Sequence, residues 1–537
     1  MTSADAAAVE IARLTAALAE REGELAATRA ELTGARLLIE QMKAQLAVLR
    51  RMQFGRSSEK LEREIAQLEL GLEDLEEGEA ERTAARGAQG PTASAGRERG
   101  HPVRRPLPAH LPREEVRHHP GETCACCGST RLSVLGEDVT EVLERIPARL
   151  KVIRHIRPRL ACRDCEAVMQ VPAPDLPVEK GRPGPGLIAH VVVGKYIDGL
   201  PLYRQAGILA RDGVEIDRTT LCDWVGAASW WLKPISDAIA AQVLAAPVLH
   251  TDDTPIGVLA PGRGRTKTGR FWTYVVDERP WNGARPPMAL YRYSPDRKGE
   301  RPSGHLAGYA GILQADAYAG YEALTRSTVP PGQGPSGQGS SGIVHAACWA
   351  HARRKLYDEH ERTRSPIAEE ALRRIGLLYD IERRITGHQP QQRLAIRQAE
   401  AVPILSELRD WMEAQRRRLS AKTGLARALH YALGRWDALA RYTDDGRIAI
   451  DNNPAERALR GIAVTRKNFL FLGSDRGGER AAILYTVLET ARLNGLDPEL
   501  WLRDVLTRLA AGHLQTDIAE LLPWNWKPAE ECARLAA

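Results

Sequence analysis

Two pairs of cysteines with the same spacing constrain the fold of this chain more than any other feature. Cys124-x-x-Cys127 and Cys162-x-x-Cys165 each place two thiolates on one turn. Two such turns supply the four sulfur ligands of a tetrahedral zinc site, which leaves no coordination position open for catalysis. The pattern therefore predicts a structural Zn²⁺ in a module over residues 113–172. The alternative is four unrelated buried cysteines.

Cysteine content is otherwise low. Eight cysteines in 537 residues do not make a disulfide scaffold. Cys126 lies between the first pair, and its spacing makes it the poorer ligand candidate.

Positive charge is concentrated in the segment between the two cysteine pairs. The chain has a net charge of +6, which permits a polyanionic partner without requiring one. Residues 145–165 hold seven Lys or Arg and one acid, and such clusters are typical of phosphate-binding surfaces. We therefore predict DNA contacts by Arg154, Arg157 and Arg159, although charge runs also occur as ordinary solvated faces.

Residues 8–78 are predicted to form one long leader helix. Apolar residues recur in it with the seven-residue period of a coiled coil, but only the a positions of this heptad are apolar throughout, and the d positions are only partly so. A coiled coil that pairs protomers and a helix packed on its own protein therefore both remain open. An Ala-, Gly-, Arg- and Ser-rich linker follows over 79–112. The apolar a positions recur every seven residues: Ile11, Leu18, Leu25, Leu32, Ile39 and Leu46.

A helical region over 183–235 has the outline of a helix-turn-helix. A first helix breaks at Gly213, and Asp217 is placed to cap a second helix. Arg218 and Thr219, at the start of that helix, would then contact the DNA major groove. Any helical hairpin has the same outline, so packing without DNA contact is the alternative.

Three acidic residues occur at the ends or starts of predicted elements. Asp252 ends an apolar strand, two further strands follow, and Asp316 ends another strand. Glu456 lies just inside a helix that begins at Asn453-Pro454. Three antiparallel strands, a fourth with a second Asp and a late helix with a Glu are the outline of an RNase H-like domain.

Carboxylates in this arrangement suit one chemistry. They hold two divalent ions for in-line phosphoryl displacement, and hard oxygen ligands favour Mg²⁺ or Mn²⁺. Taken singly, Asp252 could cap a turn and Asp316 could end a strand. Glu456 could interact favourably with the dipole of its helix from the first turn. The prediction therefore depends on all three acids occurring in order.

Several longer motifs resemble those of the insertion-sequence-66 family of bacterial transposases. The resemblance covers nearly the full length and includes the cysteine pairs. It implies a multidomain α/β protein that binds double-stranded DNA at the element ends and at the target. Small companion proteins of the same element are further candidate partners. The other matching segments are 54–60, 250–254, 316–321, 348–354, 451–457, 466–468, 473–474 and 521–524.

The resemblance also implies roles for individual residues. Asp252, Asp316 and Glu456 would form the metal-binding triad of a DDE transposase. Family members often carry Glu where this chain has Asp253, so both adjacent aspartates are candidate ligands, with Asp252 preferred. The catalytic domain would span 245–490 with a helical insertion at about 365–440, followed by C-terminal helices over 491–537.

Basic and metal-binding side chains surround the predicted triad in sequence. Arg354, Arg457 and Lys467 are expected to contact DNA phosphates. Cys348 and His351, with His345, are a second candidate metal site. The alternative is that His351 and Arg354 support the active site or contact phosphate.

Some classes of protein are disfavoured. No apolar run approaches the roughly 18 residues of a membrane span, and the N-terminus lacks a secretion pattern, so a cytoplasmic protein is expected. Two rival functions remain: a non-catalytic DNA-binding protein derived from a transposase, and an RNase H-type nuclease that does not join DNA.

Overall fold

The computed structural model describes the chain from the cysteine module onward. Nearly all of the predicted leader helix, nearly all of the linker and the Gly- and Ser-rich loop at 330–341 lie outside the described residues. The described residues are Glu22, Leu107 and 111–528, except 119–120, 147–148, 179–180, 182, 261–264, 317, 319, 322–323, 325–341 and 470.

The cysteine module is a four-stranded sheet. Its strands are β1 (Arg113–Arg117), β2 (Leu132–Ile146), β3 (Arg149–Cys162) and β4 (Val168–Met169). The order is β1-β3-β2, with β4 also paired to β3. β2 and β3 form a long antiparallel hairpin, whereas β1 runs parallel to β3. The sheet lies within the predicted 113–172 module.

Three helices follow: α1 (Pro185–Tyr196), α2 (Leu202–Arg211) and α3 (Arg218–Leu244). The helical break lies where the sequence predicts it, and Gly213 has a φ of 81° there. Asp217 occupies the N-cap position of α3, but its side chain makes no capping hydrogen bond, which corrects the predicted cap. α3 also runs well past residue 235, because its apolar side chains continue to pack into the core.

A six-stranded sheet forms the centre of the protein, in the order β7-β6-β5-β8-β9 with β10 paired to β5. β5, β6 and β7 are an antiparallel meander, whereas β8 runs parallel to β5 and β9 parallel to β8. The carboxyl end of β8 therefore lies beside the first half of β5, where His250 pairs with Gln314. β5 continues to Val258, which corrects the prediction that this strand ends at Asp252. The strands are β5 (Val248–Val258), β6 (Lys267–Val276), β7 (Met288–Ser294), β8 (Gly311–Ala315), β9 (Ile343–Ala347) and β10 (Phe471–Leu472), with a short helix α4 (Glu300–His305) before β8.

The predicted helical insertion is present and has its own hydrophobic core. That core includes Trp349, Ile375, Leu408 and Leu429, which are fully buried. The insertion therefore begins with the helix that follows β9. Its helices are α5 (Trp349–Thr363), α6 (Pro366–Ile385), α7 (Pro390–Ile396), α8 (Val402–Arg417), α9 (Gly424–Leu433) and α10 (Trp436–Ala440).

The chain returns to the central sheet through α11 (Asn453–Phe469) and ends with α12 (Asp475–Leu493) and α13 (Pro498–Ala510). Leu187 of α1 and Trp501 of α13 belong to the same buried cluster as the central strands. The segments that the sequence separates as 183–235, 245–490 and 491–537 thus share one core. Within the described part of the chain, no helix has both the length and the apolar composition that a bilayer crossing requires.

Candidate active site and metal centres

The two cysteine pairs come together at one end of the hairpin. The Sγ atoms of Cys124 and Cys165 lie 3.4 Å apart, and those of Cys127 and Cys162 lie 3.7 Å apart. A tetrahedral site with Zn–S bonds of about 2.3 Å requires sulfur–sulfur distances of about 3.8 Å. The cluster therefore fits a four-thiolate zinc site, and Cys126 is exposed and outside it.

Each cysteine pair lies on the same kind of turn. The amide of Gly128 donates a hydrogen bond of 2.8 Å to the carbonyl of Cys124, and the amide of Glu166 donates one of 3.0 Å to that of Cys162. Both donors have positive φ values, 71° and 58°. The left-handed conformation is unfavourable for a residue with a side chain, so its use at Glu166 shows how strongly the turn is required.

The basic cluster on β3 is largely paired within its own sheet. Arg154 lies directly across from Glu115 on β1 and Glu141 on β2 and contacts both carboxylates, at 2.9 and 3.6 Å. Arg159 forms an ion pair with Asp138. The positive charge available for DNA is therefore smaller than the composition of the segment suggests, and the DNA contacts of these arginines remain a prediction. Arg157 donates to the carbonyl of Val171.

The structure brings the three predicted acids to one region. Asp252 lies within β5, Asp316 directly follows β8, and Glu456 lies in the first turn of α11. Burial raises the pKa of Asp252 to about 7, the Asp253 amide opposes this, and repulsion by the Asp316, Asp253 and Glu456 carboxylates adds to the increase. A carboxylate whose pKa is raised by burial and by neighbouring acids lies in a site prepared for cations.

Asp253 has a different environment from its neighbour. Its side chain is fully buried and accepts hydrogen bonds from Arg270 at 2.7 Å and from Arg297 at 2.7 Å. Arg297 also lies 4.0 Å from Asp316. Because both oxygens of Asp253 are occupied by guanidinium groups, its carboxylate suits a structural role better than metal ligation.

One amide side chain connects α11 to β5. Asn452 donates a hydrogen bond of 2.8 Å to the carbonyl of Thr251 and contacts His250 Nδ1 at 3.2 Å. Its own carbonyl accepts the amide of Glu456 at 3.3 Å. Asn452 therefore sets the position of Glu456 relative to the strand that carries Asp252.

The second candidate metal site differs from its prediction. Cys348, His351 and Glu456 form a group of possible ligands, whereas His345 does not belong to it. His345 lies on β9 and borders a separate cavity beside Trp436. The reason is that His345 lines this other cavity and does not face the space between the starts of α5 and α11.

A cleft between α5 and α6 adjoins the start of α11. It has a volume of about 570 Å³. Arg353, Arg354 and Tyr357 of α5 are exposed at this cleft. Its other lining residues are Ala350, Gly376, Tyr379, Asp380, Arg383, Asp451 and Asn453.

The remaining predicted DNA contacts are distributed over the surface. Arg457 follows Glu456 and lies 4.0 Å from the carboxylate of Asp277. Lys467 is exposed near the end of α11, about 16 Å along the helix from Glu456. Arg218 and Thr219 are half-buried at the start of α3.

Sequence reasoning missed the arginines and the amide that organise this site. Arg297 lies in a turn after β7, where no pattern points to Asp253. Asn452 lies in the 451–457 segment that resembles the family, but the sequence of this segment does not identify the hydrogen-bond partners of Asn452. Arg353 precedes the predicted Arg354 and could have been found by considering the whole basic run.

The family model described as "Transposase IS66 family" matches residues 180–480, which is more than half of the chain. The chain belongs to the IS66 transposase family. Three further models match this transposase family member: "Transposase C of IS166 homeodomain" over 41–116, "zinc-finger binding domain of transposase IS66" over 122–166, and "IS66 C-terminal element" over 486–524.

Similar chains occur in Sinorhizobium fredii (strain NBRC 101917 / NGR234). Uncharacterized protein y4hP is 43% identical over 512 residues, which cover 92% of this transposase family member and 90% of y4hP. Uncharacterized protein y4jD is 40% identical over 90% of this chain and 94% of its own. Uncharacterized protein y4qI is 37% identical over 97% and 96%, respectively. The likeness thus extends over nearly the full length, and the transposase and zinc-finger domains imply DNA binding.

Proposed function

We propose that this chain is a DDE transposase that cuts and joins DNA with Asp252, Asp316 and Glu456. The observation that carries the proposal is their convergence where β8 ends beside β5, in a sheet ordered β7-β6-β5-β8-β9. An antiparallel meander followed by two strands parallel to its first strand is the topology of RNase H-like domains. The acids occupy the first strand, the position after the fourth strand and a helix that follows the fifth strand, as the catalytic acids of that fold do.

The donor set fits Mg²⁺ or Mn²⁺, because the three side chains offer only carboxylate oxygens. The pKa of Asp252, raised to about 7 by burial and by the neighbouring acids, fits a site where cations neutralise crowded carboxylates. When bound, two such ions supply activation of a water or a DNA 3′-hydroxyl and stabilisation of the leaving oxygen.

The residues around the triad keep these carboxylates in place. Arg270 and Arg297 neutralise Asp253, so the negative charge directed toward cations at this part of β5 is that of Asp252. Asn452 holds the start of α11 against β5, which keeps Glu456 near Asp252. Positioning of this kind contributes to phosphoryl transfer, which depends on geometry and charge stabilisation.

The cleft between α5 and α6 is the part of the surface best suited to a DNA strand that approaches the triad. Arg353 and Arg354 supply exposed guanidinium groups, and Tyr357 supplies an aromatic face that is 45% exposed. Basic groups with an exposed aromatic ring favour a phosphate backbone and its bases. Asn453 borders the cleft and connects it to the helix that carries Glu456.

The leader helix is proposed to pair two protomers, so that both element ends are held together before strand transfer. The test is the mass of the full chain in solution, by light scattering, with Leu25→Lys and Leu32→Lys combined. A dimeric mass for wild type and a monomeric mass for the double variant support pairing. An unchanged mass refutes it.

Cleavage and joining of a labelled DNA with the element's own ends test the catalytic proposal. We expect products with Mg²⁺ or Mn²⁺ from wild type and from the matched control Asp410→Asn, an exposed substitution on α8, and none from Asp316→Asn. Cut but unjoined products would instead indicate a nuclease. If the companion proteins of the element are present and wild type binds the ends without cutting, the chain is a non-catalytic binder.

A further inference from the structure

Three metal-binding side chains of different chemistry lie together beside the proposed triad. One ligand atom each from Cys348, His351 and Glu456 lies within 4.8 Å of the others. Cys348 is the N-cap residue of α5 and His351 follows it in the first turn, whereas Glu456 comes from the first turn of α11. Two separate helix starts therefore contribute to one group of ligands.

The imidazole of His351 is available for a ligand. Its Nδ1 atom is buried and makes no hydrogen bond to any described residue, and it lies 3.8 Å from Glu456 Oε1. A buried polar atom without a hydrogen-bond partner is unfavourable, so its presence favours a ligand at that position. An ion between His351 and Glu456 would satisfy both groups.

The cluster is held in place by backbone contacts and remains accessible. The amide of Asn452 donates a hydrogen bond of 3.2 Å to the sulfur of Cys348, and the amide of Trp349 donates one of 3.1 Å to the carbonyl of Ile450. Cys348 is buried, whereas the side chains of His351 and Glu456 are 29% and 32% exposed. An ion can thus reach the cluster from solvent.

The ligand chemistry differs from that of the triad. Thiolate and imidazole ligands select borderline-soft ions such as Zn²⁺, and Mg²⁺ prefers oxygen alone. Three protein ligands with a fourth position open to water are a composition that Zn²⁺ adopts. On binding, the thiol of Cys348 releases its proton to solvent and the sulfur coordinates as thiolate.

We propose that Cys348, His351 and Glu456 bind a thiophilic divalent cation of the Zn²⁺ class, separate from the four-cysteine site. A cation bound at this site coordinates Glu456, which is also a proposed ligand of the catalytic Mg²⁺. Its binding therefore inhibits Mg²⁺-dependent cleavage. Metal binding is inferred from the cluster alone, whereas the inhibition of cleavage rests on the proposed function.

Cobalt absorption tests the binding without any requirement for activity. The full chain is purified with its four-cysteine site loaded with Zn²⁺, and Co²⁺ is then added. We expect a thiolate-to-Co²⁺ charge-transfer band in wild type and in the control Cys222→Ser, which removes another buried cysteine. The band should be lost in Cys348→Ser, and the dissociation constant for Co²⁺ should rise about tenfold or more in His351→Ala. A band that is absent from wild type, or unchanged in both variants, overturns the proposal.

Zinc inhibition of cleavage tests the consequence. Each protein is compared with its own rate in Mg²⁺ alone, and Zn²⁺ is then titrated. The concentration for half-inhibition should be about tenfold or more higher in Cys348→Ser than in wild type. Equal half-inhibition concentrations in the two proteins would refute the proposal that the bound Zn²⁺ and the catalytic Mg²⁺ share Glu456 as a ligand. A wild type that shows the cobalt band but is inactive with the companion proteins of the element present contradicts the proposed function and leaves the metal site intact.

Discussion

Asp252 and Asp253 are adjacent residues of β5 whose carboxyl groups have opposite electrostatic environments. Asp253 is bound by Arg270 and Arg297 at 2.7 Å each. Asp252 is buried among other acids, and its pKa is raised to about 7. Successive strand residues point to opposite faces, so one step along the chain separates a neutralised carboxylate from one that attracts cations. Two substitutions to asparagine should therefore have different effects.

Asp253→Asn should destabilise the fold. Removal of the buried anion leaves Arg270 and Arg297 without their partner, and partial solvent access of the arginines limits the loss to about 1–3 kcal/mol. Urea unfolding monitored by tryptophan fluorescence measures the change. An unchanged midpoint would show that the two ion pairs contribute nothing to stability.

Asp252→Asn should abolish cleavage and stabilise the metal-free protein at high pH. The folded-state pKa of about 7 lies above the ordinary value of 3.8. The wild type therefore loses stability as the pH rises between these two values, by up to about 4 kcal/mol in total, and the variant does not. Melting of zinc-loaded, Mg²⁺-free protein at pH 5 and pH 8 measures this. A stability difference between the two proteins that is the same at both pH values would contradict it.

Asn452→Ala should reduce the rate of cleavage without weakening DNA binding. The substitution removes the 2.8 Å bond to Thr251 and the contact with His250, so Glu456 is less well placed. We expect at least about a tenfold lower rate. Asn468→Ala is the matched control, since it removes a similar 3.1 Å bond to Gly199 from the other end of α11. Equal losses in both variants would indicate a general effect on the helix.

Loss of the four-cysteine site should affect the module and not the central sheet. Cys162→Ser should release the bound zinc and expose residues 113–172 to limited proteolysis, because the site closes both turns. Cys126→Ser should retain zinc, since Cys126 is exposed and outside the cluster. Metal analysis and proteolysis with mass spectrometry give the result. Zinc loss from both variants would place Cys126 among the ligands.

The cleft between α5 and α6 should contribute to the salt dependence of DNA binding. Arg353→Ala with Arg354→Ala removes two exposed charges, so the slope of log affinity against log salt should decrease by about 2. Arg362→Ala is the control, since it is on the same helix and already paired with Glu359. Fluorescence anisotropy over a salt series measures the slopes. Equal slopes for the double variant and wild type would exclude phosphate contacts at the cleft.

Patterns that are local in the chain were sufficient to predict much of this protein. The cysteine spacing predicted the ligands of a four-sulfur cluster that the structure brings together. The apolar runs that end in Asp252 and Asp316 predicted β5 and β8, and the Asn453-Pro454 step predicted the start of α11. These features depend on turns, strand alternation and helix starts, which a few neighbouring residues determine.

Contacts between distant segments decided the rest. Arg154 lies in a basic cluster of the sequence. Glu115 and Glu141 nevertheless neutralise it, because β1 and β2 lie on either side of β3. Asp253 became a buried structural anion when the chain brought Arg297 against it, 44 residues away. Ionic partners and burial depend on which elements pack together, and the free energy of a charge is set by those neighbours rather than by its place in the chain.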